Sequence, residues 1–207
     1  EGKAQELFAK SLVLEDGQGE RVAFLTLDLI GIPRPLREAV AKQVEKKVGI
    51  SSEKILINVS HTHSGPLVRG RPSVTYDLTQ QQWEDVDEYL RDLEKLLVAT
   101  IEKGAQDLKP CRISYTHARA SFAMNRRLPT EKGVQNSPYP EGPVDHEVPV
   151  LRVEDTQGKL RALLFGYACH NTTLALQQFS GDYAGYAQEY LQESNPGVIA
   201  LFLMGCG

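Results

Sequence analysis

The stretch Ile55-Leu56-Ile57-Asn58-Val59-Ser60-His61-Thr62-His63-Ser64-Gly65-Pro66 limits the folds open to this chain more than any other. Its apolar start reads as a short strand, Ser60 to His63 bring two imidazoles to the strand's end, and Gly65-Pro66 turns the chain away. Strand residues i and i+2 share a face. His61 and His63 therefore converge on one pocket if extended backbone persists through Thr62. A metal site mounted on a rigid strand is one use of such a pair, and simple hydrogen bonding at a strand end is the other. The pair alone leaves both open.

A second apolar strand ends in the same way. Leu163 to Ala168 runs into Cys169-His170-Asn171-Thr172-Thr173. It forms a hairpin with Pro149 to Glu154 around Asp155-Thr156-Gln157-Gly158. Ser180-Gly181-Asp182-Tyr183-Ala184-Gly185 then leads into a helix from about Tyr186 to Glu193, and Val198 to Met204 reads as a last buried strand. At the other end, Leu7 to Leu14 and Arg21 to Leu27 make a hairpin around Glu15-Asp16-Gly17-Gln18-Gly19, and Asp28 follows, read as a helix or turn cap in preference to a site residue. Pro35 opens a helix with Leu36, Val40, Val44 and Val48 on one stripe, so the opening order is β-β-α-β.

A longer helix is expected from about Thr79 to Lys103, with Trp83, Val86, Leu90, Leu93, Leu97 and Ile101 as its core stripe and Gly104 ending it. Cys111 to Arg119 alternates as a strand and carries His117 in a structural role. From Ala120 to Pro149 regular patterning fades into a proline- and glycine-rich loop, expected to serve as a lid or binding loop. Arg126 and Arg127 lie near its start, and His146 is expected to be solvated at its exit. The fold class is α/β: a mixed β-sheet with hairpins and covering helices, in a single domain spanning 1–207.

Composition removes several functions. The 23 basic and 27 acidic residues give a net charge of −4, which argues against nucleic acid as a partner; Arg69, Arg71, Arg126 and Arg127 amount to a local patch. Cys111, Cys169 and Cys206 are odd in number and show no Cys-x-x-Cys spacing, so no disulfide framework is expected. No apolar run approaches the roughly 18 residues of a membrane span. No signal peptide is visible, but both ends are expected to be cut, since Glu1 is no initiator and Gly207 closely follows a strand, so that absence carries little weight.

Among motifs, His-Glu-x-x-His and Walker A are absent. The His-x-His pair lacks the Asp-His that continues it in metallo-β-lactamases, and a hairpin and helix precede it, unlike the first strand of an amidohydrolase barrel. Two strand ends bearing three histidines still suit catalytic zinc, which takes about three protein ligands and a water.

Asn58 to Pro66, Ala168 to Thr173, Ser180 to Gly185, Ser11-Leu12-Val13-Leu14 with Leu27-Asp28, and Asn125-Arg126 resemble, in order, the motifs of the neutral/alkaline non-lysosomal ceramidases and their bacterial relatives. The resemblance implies a zinc amidase. By similarity His61 and His170 are metal ligands, His63 faces the substrate beside the zinc ion, Arg126 helps bind substrate, and Asp182 is a candidate for fixing an imidazole tautomer. It also implies two further ligands, a glutamate and a tyrosine, and a serine segment, none with a counterpart in these 207 residues.

The implied substrate is a lipid amide, ceramide or a relative, with peripheral contact to membrane lipid and an extracytoplasmic (secreted or periplasmic) location. Two alternatives stay open: a non-catalytic homologue acting as a binding or structural domain, and a hydrolase of some other amide or ester. His61 and His170 are expected to approach within metal-bridging distance, with His63 pointing into the same pocket.

Overall fold

The computed structural model describes residues 2–68, 76–174 and 176–207; the expected loop arginines Arg69 and Arg71 lie outside them. Alternating apolar residues pair β1 (Ala9–Glu15) with β2 (Arg21–Leu27) in the expected antiparallel hairpin. Asp16 Oδ1 closes its turn by accepting from the Gln18 and Glu20 amides, each at 2.9 Å.

Helix α1 (Arg34–Val48) buries Leu36, Val40 and Val44 as its 3.6-residue stripe dictates, and ends at Gly49 in the left-handed region, φ 75°. The chain returns as β3 (Ile55–Val59), parallel to β2. Helix α2 (Gln80–Gln106) starts from a Thr79/Gln82 capping box. It then runs through Gly104 rather than stopping there. A Cβ at Gly104 would lie 2.8 Å from Ser11 Oγ and 2.9 Å from Val13 Cγ2, so this glycine lets α2 close on β1.

Val13, Leu25, Leu27, Val40, Val44, Leu97, Val98 and Ile101 form the main core between this sheet and the two helices. Each such side chain contributes about 1.5–3 kcal/mol on burial.

The rest of the chain builds β4 (Cys111–Arg119), the hairpin β5 (Asn125–Thr130) and β6 (Gly133–Tyr139), β7 (Glu147–Asp155), β8 (Leu160–Tyr167), α3 (Asp182–Ser194) and β9 (Ile199–Met204). Their main sheet runs β4-β7-β8-β9, antiparallel except for the β8–β9 pair. The β5–β6 hairpin corrects the expected structureless loop. β6 is largely exposed and β5 buries no side chain fully, so no apolar alternation marks them, and Pro129 and Pro138 are tolerated because each strand has a single ladder partner.

The two larger sheets meet at β3 and β9. The Asn58 side chain takes the place of a strand partner, donating from Nδ2 to Met204 O at 3.1 Å and accepting Met204 N at 2.8 Å through Oδ1. This junction brings the ends of β3 and β8 to one side of the molecule. The result is a mixed α/β architecture with histidines outside the carboxyl ends of parallel strands, where such sheets commonly hold ligands.

Candidate metal centre

β3 stops at Val59, yet its pairing with the β2 end continues. Ser60 N donates to Leu27 O at 2.8 Å and His61 N to Leu29 O at 3.0 Å. His61 itself adopts φ 60°, a conformation that costs a non-glycine residue about 1–3 kcal/mol. The convergence of His61 and His63 therefore comes from a strained turn and not from strand alternation, because the extended backbone ends before Thr62. The His61 ring is oriented by Ile30 O, 2.7 Å from Nδ1. A carbonyl only accepts, so Nδ1 carries the proton and Nε2 presents a bare lone pair.

His170 follows β8 in a loop held from α3. Asp182, 1% exposed and at φ 54°, accepts Thr173 N at 3.0 Å, Thr173 Oγ1 at 2.6 Å and Tyr183 N at 2.7 Å on Oδ1, and Leu174 N at 3.0 Å on Oδ2. Asp182 was expected to fix an imidazole tautomer. Its oxygens are instead spent on the loop backbone, and Ile30 O does that work for His61.

Buried Asn171 donates to Gly181 O at 3.0 Å. The Ser180-Gly181 segment also grips the first loop: Thr62 Oγ1 donates to Ser180 O at 2.6 Å, and Ser180 N donates to Ser64 O at 2.9 Å. One three-residue segment thus clamps both histidine loops.

These constraints bring His61, His63 and His170 together, with one donor atom from each lying within 4.8 Å of the others. Ring centroids are 4.6 Å apart for His61 and His170, 5.1 Å for His61 and His63, and 5.3 Å for His63 and His170. Partial burial, then the Arg126 charge and His61, holds the His170 pKa below its usual value; for His63 the order is burial, His61, Arg126. Both rings are thereby biased toward the neutral form that ligates metals.

The donor set fits zinc. Zn–N bonds of about 2.0–2.1 Å put tetrahedral neighbours roughly 3.4 Å apart, and His61 Nε2 and His63 Nε2 are separated by 3.4 Å. A donor atom of His170 lies within 4.8 Å of theirs.

Arg126 on β5 is half-buried and near enough to His63 and His170 to act on both electrostatically, while its guanidinium meets no hydrogen-bond acceptor among the described residues. The segment leading into β5 is held by Tyr167, whose hydroxyl donates to Ala120 O at 2.9 Å and accepts Ala123 N at 3.1 Å. Arg127 is exposed and near Asn136. His117 lies on exposed β4 against Glu147, 3.1 Å away. His146 is less solvated than expected, since its Nδ1 is buried. Asp28 caps no helix; buried, it accepts Phe8 N at 3.0 Å and closes the β1–β2 ladder.

A pocket of about 490 Å³ opens beside the cluster, walled by Ile30, Leu67, Leu78 and Val86, with His63 the one member of the histidine trio on its lining. A larger cleft of about 930 Å³ between β1, the end of α2 and β4 holds none of the three histidines.

Fold and cluster define a mixed α/β domain carrying three converging histidines that could hold a metal ion. Residues 1–199 match the family described as neutral/alkaline non-lysosomal ceramidase, N-terminal, and the chain belongs to that family. It is 25% identical over 202 residues to neutral ceramidase B of Dictyostelium discoideum, covering 89% of this chain and 26% of that protein. It is 26% identical over 203 residues to the neutral ceramidase of Drosophila melanogaster, covering 92% and 28%.

The fold matches the crystal structure of neutral ceramidase from Pseudomonas aeruginosa with a TM-score of 0.76 at 22% identity, over 97% of this chain and 33% of that one. A structure of ceramidase complexed with C2 also gives 0.76, at 23% identity, over 97% and 32%. The chain spans about a quarter of the length of the curated relatives it matches.

Proposed function

We propose that this chain supplies zinc ligands and substrate contacts to a zinc-dependent hydrolase that cleaves the N-acyl amide bond of ceramide or a related lipid. The observation that carries this reading is a division within the histidine cluster. His63 faces an apolar-walled pocket of about 490 Å³, within the usual range for small-molecule sites, while His61 and His170 stay off its lining. His61 and His170 are the ligands in this reading, and His63 is the residue facing the substrate. A bound zinc would activate water near neutral pH and polarise a carbonyl.

The chain's own residues do the rest. Ile30 O fixes the His61 proton on Nδ1, leaving Nε2 for the metal. With the His61 Nε2 lone pair given to the metal, the neutral His63 ring at the pocket wall would keep one N–H to donate to a carbonyl oxygen as it becomes anionic. Arg126 offers a planar donor fork for a further substrate oxygen. The apolar wall would take a hydrocarbon chain.

An extracytoplasmic location is proposed from membership of the family alone, and a lipid substrate would bring peripheral contact with membrane lipid. Exposed Phe122, Met124 and Leu174, close in sequence to Arg126 and His170, suit such contact. Among the described residues no helix is long and apolar enough to cross a membrane. The test is metal analysis of the full-length protein together with hydrolysis of a panel of N-acyl-sphingosines. Stoichiometric zinc and amide cleavage are expected; no zinc, or no cleavage with zinc bound, sinks the proposal.

A further inference from the structure

Behind His61 lies a buried carboxylate for which the chemistry above has no use. Asp28 follows β2 and is 5% exposed. Its Oδ2 accepts Phe8 N at 3.0 Å, and its own amide donates to Phe8 O at 3.0 Å. The residues flanking it hold His61: Leu27 O accepts Ser60 N at 2.8 Å, Leu29 O accepts His61 N at 3.0 Å, and Ile30 O meets His61 Nδ1 at 2.7 Å. Ser60, 2% exposed, turns a hydroxyl toward Asp28 but outside hydrogen-bonding geometry.

Gln188 on α3 lies near the carboxyl, with its Nε2 donating to Ala184 O at 3.2 Å. Its Oε1 accepts Lys10 Nζ at 3.0 Å, and Lys10 Nζ donates further to Ala200 O on β9 at 2.9 Å and to Gln192 Oε1 at 3.0 Å. Polar groups thus run from the turn that holds His61 to the half of the molecule that carries His170.

A buried carboxylate is costly, and a neutral acceptor would satisfy the Phe8 amide equally well. What the carboxylate adds is charge attracted to Lys10, held against a burial that raises its pKa. We infer that Asp28 is a positioning residue for the metal centre. Its carboxylate pins the Leu27–Ile30 turn, that turn orients the His61 ring, and the Gln188–Lys10 link sets the turn against the second sheet. Asp28 reaches neither the metal nor the substrate and acts only through these groups. The inference rests on His61 and His170 being zinc ligands.

The experiment measures zinc affinity of the full-length protein by chelator competition, alongside thermal unfolding, for wild type, Asp28→Asn, Gln188→Leu and Val44→Ala. Asp28→Asn keeps an acceptor for Phe8 N and removes the charge, whereas Val44→Ala destabilises the α1 core away from the histidines. Asp28→Asn is expected to weaken zinc binding by about tenfold or more, the usual effect of losing a group that orients a ligand. Gln188→Leu should act in the same direction, and Val44→Ala should leave zinc affinity within about twofold at a comparable loss of melting temperature.

Should Asp28→Asn fail to fold, Gln188→Leu decides alone, because it leaves the Phe8 contact intact. Zinc affinity in Asp28→Asn or Gln188→Leu that tracks Val44→Ala overturns the inference and leaves the zinc reading standing. Wild-type protein that binds no zinc overturns that reading and this inference with it.

Discussion

His61 and His170 reach one centre by opposite means. The His61 ring is fixed directly, its Nδ1 against Ile30 O and its backbone in a strained turn on the β2 end. His170 is fixed through its loop, whose Thr173 and Leu174 amides are bound by Asp182 from α3. The first arrangement depends on a neighbouring strand and the second on a distant helix. Zinc binding in the proposed enzyme therefore depends on how the two sheets are docked as well as on local chemistry.

The largest effect tests whether both arms are needed. His61→Ala and His170→Ala should each abolish stoichiometric zinc and lower kcat/KM on the order of 10³-fold, the several kcal/mol that a catalytic metal supplies. Zinc retained in either variant breaks the pairing. Asp182→Ala separates the two arms: it strips partners from buried amides, and denaturant unfolding should show a loss of about 3 kcal/mol with weakened zinc binding. Asp182→Asn, which tolerates positive φ and keeps one acceptor, should lose less. Equal losses for the two would mean that charge, and not loop geometry, fixes His170.

His63→Ala is expected to keep its zinc and lose about 10²-fold in kcat, as for removal of one oxyanion donor. Loss of zinc instead would make His63 a ligand.

The smallest effect concerns the docking of the two halves. Burial pulls the Lys10 pKa down to about 8, against the attraction of Asp28. Between about pH 8 and 10 the unfolded chain keeps that proton while the folded one has released it, so stability rises with pH across the window; below pH 8 the burial cost is full. Burial holds Tyr183 protonated beyond its ordinary range, which opposes the trend above pH 10. Lys10→Met should flatten the rise in denaturant midpoints at pH 8, 9 and 10. An unchanged slope removes Lys10 as its cause.

What was legible in the sequence follows from burial. β1, β2 and β8 and the stripes of α1 and α2 each bury one side, and that imposes a period on their residues. The histidine-bearing strand ends were visible because each apolar run stops where small polar residues begin. The β5–β6 hairpin was not, since solvent on its faces imposes no pattern. Gly104 misled because a helix-ending glycine and one admitting a neighbouring strand look alike in sequence.

The grip of Ile30 O on His61 left no mark because any residue supplies a carbonyl. The role of Asp182 is half legible: an aspartate in the second histidine motif marks a candidate partner, but nothing in the sequence marks its turn into the left-handed region.

Anomalous diffraction at the zinc edge from crystals of the full-length protein tests the central claim most directly. A single zinc bonded through His61 Nε2 and by His170, with His63 on the substrate side, is the predicted result. Zinc bound away from His61 and His170, or none in active protein, would contradict it.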